Sequence, residues 1–243
     1  MSNPKVTVTM PAYNASKYIN EAIKSVLTQD YNSFELLILD DGSTDNTWDI
    51  IRQYRKDPRV RIYRNKKNSG GGAARNKTIR LARGKYISFC DADDLMLPGN
   101  LKTLSRFLDT HQGIGMVYPK ALVIRTDMNN KMLRSPYLRG QNPDKGWDLL
   151  KNTVGQGGAM VRKYLITKAG GYDETNYYSS VDYGLWLRLA EIASIKYMDS
   201  NVYHIINIRT KCLGSEGKRL YNAYKLQKIS QAIKRRYDYK FRM

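Results

Sequence analysis

The sequence Phe34-Glu-Leu-Leu-Ile-Leu-Asp-Asp-Gly-Ser-Thr-Asp45 joins an almost continuous apolar run to a cluster of carboxylates and turn-forming residues. An apolar run of this length is typical of a strand that is covered on both faces, as in a parallel sheet. Gly42 is suited to a turn, and Thr44 or Asp45 is suited to cap a following helix. Residues 34–39 therefore predict a buried strand that is followed directly by the acidic residues Asp40 and Asp41.

Strand-like and helix-like patterns alternate on both sides of this run. The predicted strands are 6–10, 34–39, 60–63 and 86–90, and the predicted helices are 16–27, a helix from 44 or 45 that stops before Pro58, and 73–82. Such alternation predicts an α/β fold with an open, mostly parallel sheet flanked by helices. Ligands of such sheets bind beyond the carboxyl ends of the strands.

The second half of the chain is less regular and predicts a mixed sheet. Its predicted elements are a helix at 101–108, one or two strands within 115–125, a turn at 127–130 before another strand, a loop at 155–158, a strand at 159–161, a helix at 181–193, strands at 195–198 and 202–206, and a final helix at 220–236. Because no repeat or linker interrupts the sequence, we expect one domain, 1–243, with halves at 1–98 and 99–206 and a basic extension at 207–243.

Acidic residues follow two of the predicted strands. Asp91 and Asp93 stand two residues apart after the strand 86–90, so their side chains point the same way in extended chain and repel unless a cation lies between them. Mg²⁺ or Mn²⁺ holding a diphosphate fits such a pair. The alternative is a solvated loop in which Asp94 caps the next helix.

The other acidic cluster, Asp40 and Asp41, also has two interpretations. The residues of a turn and a helix cap explain most of the motif, but a cap needs no acid at either position, and a charge at the end of an apolar strand is costly. A contact with a nucleobase or ribose would explain it. The glycines at 70–72 match neither a dinucleotide fingerprint nor a P-loop. Arg75, in the helix that follows, is placed to reach the acidic edge.

The 243 residues carry 41 Lys and Arg against 22 Asp and Glu, a formal net charge of +19. Residues 52–85 hold 13 basic residues and one acid, and residues 209–243 hold 11 and two, so the rest of the chain is close to neutral. The hydrophobic content of 42% excludes wholesale disorder, and two cysteines are too few for a disulfide scaffold. The small number of cysteines favours a reducing cytoplasm, and no apolar run is long enough to span a bilayer. We therefore expect a cytoplasmic protein without a transmembrane segment, with a location peripheral to the membrane as the alternative.

Several ordered motifs resemble glycosyltransferase family 2. They are Pro11-Ala-Tyr-Asn14, Leu39-Asp-Asp-Gly-Ser-Thr-Asp45, Gly72-Ala-Ala-Arg-Asn76, Gly84-Lys-Tyr-Ile, Phe89-Cys-Asp-Ala-Asp-Asp94, Gly170-Gly-Tyr-Asp-Glu174 and Asp182-Tyr-Gly-Leu-Trp-Leu-Arg188. The resemblance runs from about residue 5 to residue 206. It implies a Rossmann-like GT-A fold and transfer from a nucleotide-sugar, most often a UDP-sugar, with inversion at the anomeric carbon.

The resemblance also implies roles for individual residues. It places Pro11, Tyr13, Asn14, Asp40 or Asp41, Arg75 and Asp91 in the nucleotide-sugar site, Asp93 as the ligand of Mn²⁺ or Mg²⁺, Asp182 as the catalytic base, and Asp173 and Trp186 on the acceptor side. His204 is a second candidate metal ligand, with a structural histidine as the alternative. Trp186 has the alternative of a core position. Val181 departs from the Glu that the family often has before its base.

The acceptor stays open between two classes. Most proteins with this resemblance build cell-envelope polysaccharides or lipid-linked glycans, and the basic segments would then face an anionic membrane. The rival acceptor is nucleic acid, such as a modified base of phage DNA, because basic segments interleaved with Tyr also track phosphates. A third possibility is a non-catalytic nucleotide- or nucleic-acid-binding protein on the same scaffold. The presence of both Asp93 and Asp182 argues against it.

Overall fold

A computed structural model describes residues 3–126, 132–139, 157–175 and 181–209. The strands are β1 (Val6–Ala12), β2 (Phe34–Asp40), β3 (Val60–Arg64), β4 (Tyr86–Phe89), β5 (Leu95–Met96), β6 (Ile114–Thr126), β7 (Met132–Arg139), β8 (Met160–Arg162) and β9 (Ser194–Arg209). The helices are α1 (Ile19–Leu27), α2 (Thr47–Arg52), α3 (Gly71–Leu81), α4 (Asn100–Thr110), α5 (Lys163–Lys168) and α6 (Val181–Ile192), with a 3₁₀ turn at Gln53–Lys56 after α2.

The first half forms the predicted parallel sheet. Strands β3, β2, β1 and β4 lie side by side in that order, and all three pairs are parallel. Every residue of β2 is buried, as its apolar run predicts. The register places Ala12 of β1 opposite Asp40 of β2, so both strands end at the same edge of the sheet.

Helix α1 buries the predicted apolar face but begins at Ile19 rather than at residue 16. The residues before it are held by another loop. Thr47 Oγ1 accepts the Ala15 N–H at 2.7 Å, and Asp45 Oδ2 accepts the Ser16 N–H at 3.1 Å. Because these backbone donors point to the loop before α2, the chain makes a separate turn at 15–18 before the helix starts.

The second half makes the sheet mixed, as expected. Strand β8 pairs antiparallel with β4 and β6, β9 pairs parallel with β6, and the short β5 pairs antiparallel with β9 at the edge. The two strands predicted at 195–206 are one strand, because β9 stays paired with β6 across a register shift between Pro119 and Lys120. Strand β5 and helix α5 were not predicted. The predicted turn at 127–130, the final helix at 220–236 and all but 207–209 of the basic extension lie outside the described residues.

Two hydrophobic clusters cover opposite faces of the sheet. Successive side chains of β4 point to opposite faces. Tyr86 packs in the cluster beneath α1 and α4, and Phe89 packs in the cluster beneath α5 and α6. No helix within the described ranges combines the length and the apolarity needed to cross a bilayer. The core thus leaves the carboxyl ends of β1, β2 and β4 at one open edge.

Candidate active site

The acidic loop after β2 is held by its own local hydrogen bonds. Asp40 Oδ1 accepts the Ser43 N–H at 3.1 Å, and Arg64 Nε lies 2.9 Å from Asp40 Oδ2. Asp45 Oδ1 accepts the Thr47 N–H at 3.0 Å. The N-cap of α2 is Asn46, without a side-chain cap hydrogen bond, so the prediction that Thr44 or Asp45 caps this helix is wrong. Burial alone would raise the pKa of Asp45, but its hydrogen bonds with Thr47 and Ser16 lower it.

Asp41 holds the segment after β3. Its carboxylate accepts the Ser69 N–H at 3.0 Å, the Ser69 hydroxyl at 2.7 Å and the Asn65 side-chain amide at 2.6 Å. These contacts are not part of the cap of α2, and they give Asp41 a structural role that was not predicted from the sequence. Both carboxylates are almost fully buried, and both accept hydrogen bonds from other residues of the chain. Their contact with a nucleoside stays a prediction.

The loop after β1 packs against the same region. Asn14 adopts a φ of 49°, and its side-chain oxygen accepts the Thr44 N–H at 2.9 Å. Pro11 is half-buried, whereas the Tyr13 ring is 48% exposed and can stack on a flat ligand. A groove of about 530 Å³ lies beside this loop and is lined by Gly42, Ser43, Thr44, Arg64, Asn65 and Lys66.

Gly42 is required by this packing. Its φ is +74°, and a Cβ atom there would lie 2.6 Å from the backbone carbon of Lys67. Gly99 has a similar φ of +82° but open space around it, so it is a matched control for the backbone strain alone. We expect Gly42→Ala to lower the free energy of unfolding by about 3 kcal/mol and Gly99→Ala by about 1 kcal/mol in urea titrations. Equal losses of unfolding free energy in the two variants would show that the close contact with Lys67 adds nothing to the effect of Gly42→Ala.

Arg75 links the two halves of the candidate site. Its guanidinium donates to Asp91 Oδ1 at 2.8 Å and lies 6.0 Å from the centroid of the Tyr172 ring. Burial would lower the pKa of Arg75, but the negative charges of Asp91 and Asp182 and the Tyr172 phenol raise it above its usual value. Asp182 is in the first turn of α6, and Asp91 follows β4. The structure thus brings Arg75, Asp91 and Asp182 together from three separate parts of the chain.

The remaining carboxylates after β4 have different surroundings. Asp94 is buried, and its Oδ2 lies 3.2 Å from Nε2 of the fully buried His204. The helix that Asp94 was suggested to cap begins only at Asn100, so that alternative is wrong. Burial and the charges of Asp94, Asp91 and Asp93 raise the pKa of the Cys90 thiol. Asp93 is only partly buried, and its charge acts on the same thiol.

The donor set fits a metal ion that arrives with a diphosphate. Within the described part of the chain, no three His, Cys, Asp or Glu side chains form a ready-made metal cage. Mg²⁺ is commonly held by one or two carboxylates together with substrate phosphates. Asp93 and Asp91 can supply the two carboxylates. His204 pairs with Asp94 instead, which favours the structural histidine; its metal ligation stays a prediction.

The two residues expected on the acceptor side, Asp173 and Trp186, lie in different surroundings. Asp173 is partly exposed, and its carboxylate accepts the N–H and hydroxyl of Thr175. Trp186 is fully buried, with its ring 5.5 Å from that of Phe89 in an edge-to-face contact. An acceptor would have to open the core to touch Trp186, so the structure favours the core position that the sequence left as the alternative.

The basic segment 52–85 is spread over the molecule rather than gathered in one patch. Arg59 precedes β3 and Lys85 precedes β4, whereas Arg64 ends β3 at the opposite edge of the sheet. Six of its cations form ion pairs: Arg52 with Asp49, Arg59 with Asp57, Arg61 with Glu35, Arg64 with Asp40, Arg75 with Asp91, and Arg80 with Glu174. Nearly half of the 13 cations of this segment are thus paired with carboxylates of the chain, partly at the surface. Binding of lipid or nucleic acid by this segment stays a prediction.

Comparison with known proteins identifies the family. The model of glycosyl transferase family 2 matches residues 7–169. The chain belongs to glycosyltransferase family 2. It is 32% identical over 193 residues to an uncharacterized glycosyltransferase of Methanocaldococcus jannaschii, covering 77% of this chain and 65% of that one. It is 30% identical to the putative glycosyltransferase EpsE of Bacillus subtilis, covering 97% and 77% of the two chains.

Comparison with a solved structure confirms the GT-A fold. Staphylococcus aureus TarS (residues 1–349) in complex with UDP superimposes with a TM-score of 0.69 at 23% identity, covering 94% of this chain and 65% of that one. The chain covers between 19% and 65% of the length of the first curated relatives that it matches. The α/β class, the mixed sheet and the family are confirmed.

Proposed function

We propose that this family 2 chain transfers a sugar from a UDP-sugar to a hydroxyl group of a cell-envelope polysaccharide, with inversion and with Mn²⁺ or Mg²⁺. The observation that carries the proposal is Arg75, which joins Asp91 of the donor half to the surroundings of Asp182 on α6. A protein that only bound a nucleotide would need the carboxylates of the donor half and would not need a second carboxylate from the other half. The nearness of a second carboxylate from the other half supports a site in which a bound donor meets an acceptor.

The chemistry assigns separate tasks to the carboxylates. In an inverting transfer the acceptor hydroxyl attacks the anomeric carbon from the side opposite the leaving diphosphate, and a base must take the hydroxyl proton. Asp182 would take this proton. Asp93, with Asp91, would hold the metal ion, which neutralises charge on the leaving diphosphate when bound. Arg75 would keep Asp91 in place and add a fixed positive charge between the two halves.

The exposed Tyr13 ring supports a nucleoside site on the donor side, since aromatic rings stack on bases. UDP is proposed because TarS was solved with UDP and with UDP-GlcNAc. A polysaccharide acceptor is proposed because one relative is the putative teichuronic acid biosynthesis glycosyltransferase TuaG of Bacillus subtilis, 42% identical over 106 residues and 43% of this chain. Another is chondroitin synthase of Escherichia coli, 29% identical over 207 residues and 83% of this chain.

The acceptor class can be tested without knowing the sugar. Binding of the chain to an acidic polysaccharide, to duplex DNA and to vesicles with anionic lipid is measured over a salt series. We expect saturable binding to the polysaccharide that persists at physiological salt. Tighter binding to DNA, with a steep fall in affinity as salt rises, would contradict the polysaccharide acceptor and favour nucleic acid.

A further inference from the structure

Asn76, the residue after Arg75 on α3, holds the backbone of a distant loop. Its side-chain Nδ2 donates to the Tyr172 carbonyl at 2.9 Å, and its Oδ1 accepts the Tyr172 N–H at 2.8 Å. The same Nδ2 also donates to Glu174 Oε1 at 2.8 Å. Because Asn76 is buried, these bonds are shielded from water, and leaving either backbone group unpaired would be costly.

Two glycines bring this loop against α3 at backbone distance. A Cβ atom on Gly72 would lie 2.4 Å from the Asp173 carbonyl oxygen, and one on Gly171 would lie 2.6 Å from Asn76 Oδ1. Gly171 also has a φ of +68°, which other residues rarely adopt. A side chain at either position would therefore push the loop away from α3.

The same loop is held from its other side by the helix that carries the proposed base. Arg188 of α6 donates from Nε to the Ala169 carbonyl at 2.9 Å and from its terminal nitrogen to the Gly171 carbonyl. Arg188 lies six residues after Asp182 on α6. The loop 169–174 is thus fixed between α3, which carries Arg75 and Asn76, and α6, which carries Asp182.

Tyr172, in the loop 169–174, contacts the candidate site directly. Its buried ring lies over Arg75 and contacts Phe89 edge to face at 6.4 Å between centroids. Burial raises the pKa of the Tyr172 phenol, Arg75 opposes this, and Asp182 and Asp91 add to the rise. Tyr172 is therefore close enough to both carboxylates to feel their charges, and its backbone is held by Asn76.

We propose that Asn76 is a positioning residue that sets the place of Asp182 relative to the donor, acting through the loop 169–174 and Arg188. This inference rests on the proposed role of Asp182 as the base. A small misplacement of a reacting group is enough to slow an enzyme, and a 1 Å shift can cost about 100-fold in rate. Under the proposed function the donor contacts the loops after β1, β2 and β4, whereas the side chain of Asn76 hydrogen-bonds to the loop 169–174.

The test compares Asn76→Ala with a matched control in UDP release from a panel of UDP-sugars, with water as the acceptor and Mn²⁺ present. Gln29→Ala is the control, because Gln29 is also buried and also binds backbone, at Met96, Leu97 and Leu101, but away from the loop 169–174. We expect Asn76→Ala to lower kcat by about 10- to 100-fold. Its Kd for UDP, measured by calorimetry, should stay within about twofold of wild type, since donor binding does not use the loop. Gln29→Ala should lower Tm similarly and leave kcat unchanged.

If Asn76→Ala does not fold, Arg188→Lys is a second variant that weakens the contacts holding the loop 169–174. It keeps the positive charge but loses the paired donors, and we expect the same loss in kcat with an unchanged Kd for UDP. Folded variants of Asn76 or Arg188 that release UDP at the wild-type rate would overturn the inference, as would an equal loss in Gln29→Ala. A wild-type chain that releases UDP from no donor would instead contradict the proposed function on which the inference rests.

Discussion

Replacing Asp182 by Asn is expected to lower the rate of sugar transfer, and of donor hydrolysis, by about 10²- to 10⁴-fold, the usual contribution of a general base. Asn has nearly the shape of Asp but cannot take a proton from the acceptor hydroxyl. The charge of Asp182 also raises the pKa of Arg75 and of Tyr172, so the same change removes a negative charge that acts on both groups. The Kd for UDP should change little, because the proposed donor contacts lie in the other half of the chain.

The control for Asp182→Asn is Asp57→Asn. Asp57 also pairs with an arginine, Arg59, at 2.8 Å, but it precedes β3 at the edge of the sheet opposite the candidate site. The control therefore removes a paired carboxylate of the same kind, and it should release UDP at the wild-type rate. An Asp182→Asn chain that is folded and keeps more than about a tenth of the wild-type rate would exclude Asp182 as the base.

Asp93→Asn is expected to remove most of the effect of metal on donor binding. With Mn²⁺ present, UDP should bind the wild-type chain more tightly than it does in EDTA, and Asp93→Asn should bind UDP equally weakly in both. The rate of UDP release should fall by about 10²-fold or more, because a metal ion stabilises leaving charge by several kcal/mol. Calorimetry with UDP, with and without Mn²⁺, measures the first effect.

Asp57→Asn again serves as the control and should keep the full difference between Mn²⁺ and EDTA. If Asp93→Asn keeps that difference, the metal is held elsewhere. Asp94→Asn then becomes the next variant to measure, because Asp94 and its partner His204 form the buried pair beside the same loop.

The parts of the fold that local sequence patterns describe were predicted well. The buried strand β2 and the apolar face of α1 follow from the periodicity of their own residues, which does not depend on the rest of the chain. Parallel pairing then places the ends of these strands at one edge, so the gathering of acids there was predictable. The two-residue strand β5 and the six-residue α5 are too short to give a periodic signal.

The partners of the acids were not predictable in the same way. Asp41 pairs with Ser69, Asp94 with His204, and Asn76 with Tyr172, over separations of 28 to 110 residues. These contacts depend on how the loops meet in three dimensions, and no local pattern encodes them. The motifs did hold a signal, since Asn76, Gly72 and Gly171 stand in the quoted stretches. Their meaning as one hydrogen-bonded contact appears only in the structure.

UDP release by the metal-free chain, before and after a divalent ion is added, measures the proposed chemistry itself. The chain is stripped with EDTA, dialysed, and incubated with a UDP-sugar that the wild-type protein accepts. We expect no release in EDTA, full release after Mn²⁺ or Mg²⁺ is added, and no recovery in Asp93→Asn or Asp182→Asn. Release that continues unchanged in EDTA, or that both variants perform at the wild-type rate, would contradict a metal-dependent transferase with Asp93 and Asp182 at its centre.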